Sequence, residues 1–174
     1  LAGSKIFMSE IELDEKNQVK IIKGMLLPDN ESLDTKIGKE RFDRLKAVAG
    51  SFDPPITAEY LNRHRIWAVS LIIAWPRKST DPVPLDVLLY EKAKLDGCTP
   101  EGLETPEEQL RPLDGFTETE QIQLLDEAVD EAENNFKMLN SLMKKYLAQN
   151  IGGMVEEFYS RDSGFSPELK EKFI

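Results

Sequence analysis

Apolar and polar positions recur along this chain in patterns that predict a mostly helical protein with a few short strands. Lys5 to Leu13 begins fully apolar at Ile6-Phe7-Met8. It then alternates, with Ile11 and Leu13 set against Glu10, Glu12 and Asp14. That pattern predicts a strand over about 5–13, its three acids sharing one face at period two. Val19 to Leu27 is a second run rich in Ile, Val and Leu, closed by Pro28-Asp29-Asn30. It predicts a strand over about 19–27, joined to the first as a hairpin through residues 15–18. Ser32 or Asp34 opens a helix to about Ala49, and Gly50 stops it. After Pro54-Pro55, Thr57 starts a helix to about Trp75. Its second half, from Ile66, is apolar nearly all round and is predicted to be the buried helix of this part. Residues 76–84 form a proline-rich loop, and Asp86 opens a helix over Val87–Leu95 that ends at Gly97.

Gly97 to Leu110 is the most chemically specific stretch. Thr105-Pro106-Glu107-Glu108 is a helix start: Thr105 caps, Pro106 suits the first helical position, and Glu108 reaches back to the cap's N–H. Glu101-Gly102-Leu103-Glu104 before it predicts a brief strand over about 100–104. Glu104 would then stand where a strand end meets a helix N-terminus, a place that favours an anion. On residue types alone Glu104 reads as a capping residue. Thr117 to Glu120 is a second capping box, and it opens the longest predicted element, a helix over 118–149. Leu125, Val129, Ala132, Phe136, Leu139, Met143 and Tyr146 step along it by fours and threes as one stripe, opposite Asp126, Glu127, Asp130, Glu131 and Glu133. Such a stripe is core packing by default, or else a seam for a partner helix or a second copy of the chain. Met154 to Tyr159 predicts a short helix, and Ser166-Pro167-Glu168 starts a last one.

Length and charge narrow the function classes. The 174 residues predict one domain, or part of one. With 32 acidic against 22 basic residues the net charge is −10, which argues against nucleic-acid binding and against anionic membrane surfaces. No apolar run is long enough to span a bilayer, and the first residues carry no secretory pattern. Cys98 is the one cysteine, so the chain has no internal disulfide and no thiolate metal cluster, which fits a reducing compartment. His64, the one histidine, lies between Arg63 and Arg65 and reads as a surface helix residue. There is no nucleophile elbow, phosphate-binding glycine loop, dinucleotide fingerprint, zincin or calcium-loop pattern. The acids at Glu10, Glu12 and Asp14 are solvated by default, and ligating only if a cation lies nearby.

Four pieces together resemble the TraB/GumN family, which includes the TIKI-type proteases. Glu12-Leu13-Asp14 after an apolar run is similar to the family's Glu-x-Asp strand motif. Trp67 in its apolar helix resembles the helical Trp segment. Pro84-Leu85-Asp86-Val87-Leu88-Leu89, with Ala93 and Gly97, is similar to the Asp-x-x-Leu helix. Gly102-Leu103-Glu104-Thr105, with Glu108-Gln109, resembles the Gly-Leu-Glu-Thr…Glu-Gln motif closely. The order is the family's, and the span is roughly 8–160, the central region of the domain. The resemblance implies an α/β fold interrupted by a large helical region, and metal-dependent hydrolysis of peptide bonds in a peptide or protein substrate. It also implies a placement outside the cytoplasm in many members. It carries over Glu12 and Glu104 as catalytic acids, the same two with Asp14 as metal ligands, and Gln109 as a further site residue. The family's two Gly-x-x-His motifs are missing: residue 61, three before His64, is Leu. Carboxylates without imidazoles suit Mn²⁺ or Mg²⁺ held weakly, rather than zinc held tightly. The expectation is thus an incomplete hydrolase domain, inactive by itself. The alternative is a non-catalytic helical module that binds a partner along 118–149, and a homo-oligomer stays open.

Overall fold

The computed structural model describes residues 3–75, 83–134 and 136–160. In chain order they form β1 (Ile6–Ser9), α1 (Glu15–Met25), α2 (Leu33–Ile37), α3 (Lys39–Gly50), α4 (Ala58–Asn62), α5 (Ile66–Ile73) and α6 (Leu85–Leu95). Then follow β2 (Thr99–Gly102), α7 (Pro106–Asp114), α8 (Glu118–Glu133), α9 (Lys137–Leu147) and α10 (Ile151–Ser160). Helix predominates, as the pattern predicted, beside one two-stranded parallel sheet. The chain divides into two compact units, Leu1–Leu26 with Ser79–Phe116, and Leu27–Lys78 with Thr117–Ile174.

In the first unit β1 and β2 pair in parallel, with Ser9 opposite Gly102. Parallel strands need a crossover, and α6 supplies the helix that leads into β2. Gly97 follows α6 with φ +78, a left-handed turn that suits glycine. Cys98 is buried, and its thiol donates to the Ser4 carbonyl at 3.4 Å. α1 packs on α7, where Gly24 leaves room for the Leu110 side chain and Lys20 meets Glu107 at 3.0 Å.

The strand expected over 19–27 is a helix, and the hairpin with it is absent. Asp14 caps α1 by accepting the Asn17 N–H at 2.7 Å, with Glu15 in the first turn. The amides of Asn17 and Gln18 fold back to donate to the carbonyls of Glu12 and Leu13. Burial along α1 follows a helical period, since Asn17, Ile21, Gly24 and Met25 are half-buried while Val19 and Ile22 face solvent. β1 also stops at Ser9, four residues before the expected end. Ile11 is then buried, so Glu10, Glu12 and Asp14 do not share a strand face.

The second unit is built around α5 and α8, with α3 against α8. Leu45, Leu61, Val69, Ile73, Leu125 and Val129 belong to one core cluster. The expectation of a buried helix from Ile66 is met up to Ile73; Leu71 and Trp75 are exposed. The predicted helix to Ala49 is broken by Gly38 at φ +82 into α2 and α3, and the one from Thr57 is broken at residues 63–65 into α4 and α5. That second break turns His64 inward. It is 5% exposed, its Nδ1 lies 2.7 Å from the Tyr60 carbonyl oxygen, and its ring stacks on Tyr60 at 4.2 Å. His64 is therefore a packed residue of the helix junction, not a surface one.

The helix expected over 118–149 also breaks. Phe136 takes a left-handed φ of 52, and the Glu131 carboxylate caps α9 by accepting from Met138 N at 2.6 Å and Leu139 N at 3.3 Å. Much of α8's acidic face is matched by arginines of α3. Asp126 accepts from Arg41 Nε at 3.2 Å, Glu133 from Arg44 Nε at 2.9 Å, and Asp130 from Arg44 Nη2. Arg44 holds the Glu133 carboxyl below the usual carboxylate range. A lowered folded value stabilises above the unfolded pKa and is lost as pH falls through the folded one. Arg44→Met is therefore expected to lower the melting temperature at pH 7, and the gap should close as pH drops below the ordinary glutamate value of about 4.3. Thermal melts of both proteins across pH 7 to 3 check this. The predicted last helix at 166 and the loop 76–82 lie outside the described residues.

Candidate functional site

The carboxyl ends of β1 and β2 carry the candidate acids. Beyond the paired strands the ladder continues as Leu103 N–H donates to Ser9 O at 2.9 Å and Glu104 N–H to Glu10 O at 2.8 Å. Gly102 lets the two backbones close: a Cβ there would lie 2.7 Å from Glu12 N and 3.2 Å from Glu104 O. Only a residue without a side chain fits such an approach. The main chains of Glu12 and Glu104, 92 positions apart in sequence, thus border one point.

Each side chain has its own surroundings. Glu104 is exposed and Glu12 half-buried. The helix cap that Glu104 was expected to supply is made by its neighbours. Thr105 Oγ1 accepts from Glu108 N at 3.2 Å, and the Glu108 carboxylate accepts from Thr105 N at 2.9 Å, which holds the Glu108 carboxyl below its usual range. Asp14 is committed to the cap of α1. Gln109 meets Glu10, its Nε2 donating to Oε2 at 3.3 Å. Glu10 thus sits among the site candidates through Gln109 and Glu104, a partnership that no periodicity along β1 signals. Tyr90 of α6, 4% exposed, is the other residue that sequence reasoning missed. Burial raises its phenol's pKa, and the charges of Glu12 and Asp14 raise it further. The only signal for it in the sequence is one aromatic in an otherwise leucine-rich helix.

Glu12, Asp14 and Glu104 do not by themselves fit a resident divalent cation. Among the described residues no group of three or more His, Cys, Asp or Glu side chains converges to hold one. Part of Asp14 is engaged by its own helix, whereas a hard cation takes six or more oxygens, or keeps several waters. Calorimetric titration with Mn²⁺ is accordingly expected to show no saturable site. Glu12→Gln and Glu104→Gln should give the same flat trace, and a stoichiometric isotherm abolished by either change would contradict this.

No helix among the described residues is long and apolar enough to cross a membrane. The model of the TraB/PrgY/gumN family matches residues 1–174, the whole chain. No curated protein matches, and no solved structure does.

Proposed function

The chain belongs to the TraB/PrgY/gumN family, and from that premise we propose that its strand-end acids are the acidic half of a peptide-bond hydrolase site. The observation that carries this reading is the approach of the Glu12 and Glu104 main chains to Gly102 at the carboxyl ends of parallel strands, where open α/β sheets place their chemistry. One carboxylate takes the proton of a water as it attacks the carbonyl carbon. The other carboxyl group returns a proton to the leaving amine. Gln109 holds Glu10 next to them, and the buried Tyr90 feels the charges of Glu12 and Asp14. General acid–base assistance alone supplies about 10²–10⁴-fold. In place of the inactivity expected of a chain without the family's imidazoles, this reading assigns it slow turnover.

The test is incubation of the full chain with an unstructured peptide pool, with products read by mass spectrometry. Cleavage by the wild type that is lost in both Glu12→Gln and Glu104→Gln supports the reading. No cleavage by the wild type, or cleavage that survives both changes, overturns it.

A second reading, a protein-interaction module, draws support from a different place. Met143, Tyr146 and Leu147 of α9 are 48%, 61% and 75% exposed, while Leu125 and Val129 of α8 are core. The exposed end of the stripe, beyond the break at Phe136, is the part that could serve a partner.

A further inference from the structure

The two edges of the small sheet are not alike. Thr99 N–H donates to Lys5 O at 2.8 Å, and Leu103 N–H to Ser9 O at 2.9 Å. In a parallel ladder alternate residues turn both main-chain groups to the same side. Lys5, Phe7 and Ser9 therefore face β2, while Ile6 and Met8 face away from it. The same count turns Pro100 to the outer side of β2, where it offers no N–H and blunts that edge. The outer edge of β1 has no such guard: its two outward residues are neither proline nor charged. Among the described residues no main-chain hydrogen bond from outside the ladder reaches Ile6 or Met8, and the two are 52% and 55% exposed. Their side chains share one face of the strand at period two. Such an edge is a template for a further strand.

Register and charge say which strand fits. A second β1, running antiparallel about a two-fold axis at Phe7, sets Ile6 of each copy opposite Met8 of the other. Each such pair exchanges both main-chain hydrogen bonds, because both residues turn their groups outward. Four apolar side chains then meet on one face. Further along, Lys5 falls opposite Ser9 and Glu10 opposite Ser4, so no like charges oppose each other. The neighbouring registers match less well. An axis at Ile6 sets Met8 against Ser4, and an axis at Met8 sets Ile6 against Glu10. The two-fold axis also closes the assembly, since each copy is left with its blunted β2 edge outermost. We propose that β1 is a homodimerisation strand, joining two copies into one four-stranded sheet of order β2-β1-β1-β2. The inference goes beyond the hydrolytic reading and does not draw on it: Glu12→Gln and Glu104→Gln should leave association unchanged, so the two fail separately.

The experiment is sedimentation of the full chain across a concentration series, with amide exchange measured at both ends of it. The wild type is expected to reach a dimer. The Ile6 and Met8 amides should gain protection as it forms, while the Phe7 amide, turned into the ladder, is protected throughout. Ile6→Glu and Met8→Lys should each weaken association by about tenfold, because the axis counts every change twice. Both positions are exposed, so circular dichroism should show the helices kept. The two changes in one chain set glutamate opposite lysine in both pairs and should restore most of the loss. That rescue belongs to this register alone, since an axis at residue 6 or 8 would set like charges together. It decides the matter even if a single change perturbs folding. A monomer at every concentration overturns the proposal. So does exchange at Ile6 and Met8 that ignores concentration, a double variant no better than either single one, or a monomer protected there only by an added extended peptide.

Discussion

Gly102→Ala is expected to destabilise the protein by about 2 kcal/mol, the middle of the range for forcing a methyl into a filled site. The new Cβ would come to 2.7 Å from Glu12 N and 3.2 Å from Glu104 O, both backbone atoms that cannot swing aside as a side-chain tip can. The chain must open where the strand ends meet. The Leu103 and Glu104 amides, which donate to Ser9 and Glu10, should then lose hydrogen-exchange protection more than the helical amides of α8 do. Urea unfolding and amide exchange on wild type and variant check both parts. Gly24→Ala is the contrast: its methyl meets the end of the Leu110 side chain, which can change rotamer, so a smaller loss is expected.

Leu125→Ala is expected to cost about 3 kcal/mol, as burial without room to collapse dictates. Leu125 is 1% exposed within the core cluster of the helical unit, beside α5. Met143→Ala, at a position 48% exposed on the same predicted stripe, should change monomer stability by less than about 0.5 kcal/mol. Chemical denaturation of both variants separates the core end of the stripe from its surface end. Equal losses would mean that α9 is packed as α8 is.

Much of this is legible in the sequence. The capping boxes at Thr105 and Thr117 are local chemistry, complete within four residues, and both form as read. The all-round apolar run from Ile66 is buried as far as Ile73 except at Leu71, because leaving so much apolar surface wet is costly. What failed was the reading of runs whose pattern fits two periods. Val19 to Leu27 suits a strand by composition, yet Asp14 in front of it is a helix cap, and taking it as a strand acid concealed the signal. The break at Phe136 was hidden for the opposite reason. The apolar spacing runs on across it, while the change of direction is held by Glu131 reaching to the amides of Met138 and Leu139. His64 looked exposed because its neighbours are arginines, and only the junction between α4 and α5 turns it inward. At the site, motif and strand order point to Glu12 and Glu104. The meeting of Glu10 with Gln109 depends on β1 lying next to β2, which no local pattern states.

The claim on which the functional reading stands is that residue 12 and residue 104 are neighbours because glycine at 102 lets the strand ends touch. Proton NMR measures this directly on the labelled chain. A strong cross-relaxation peak between a Gly102 α-proton and the Glu12 amide proton, with a slowly exchanging Glu104 amide, is the predicted result. A spectrum with no contact between Gly102 and residues 11–12, and a Glu104 amide that exchanges as fast as an open loop, would contradict it.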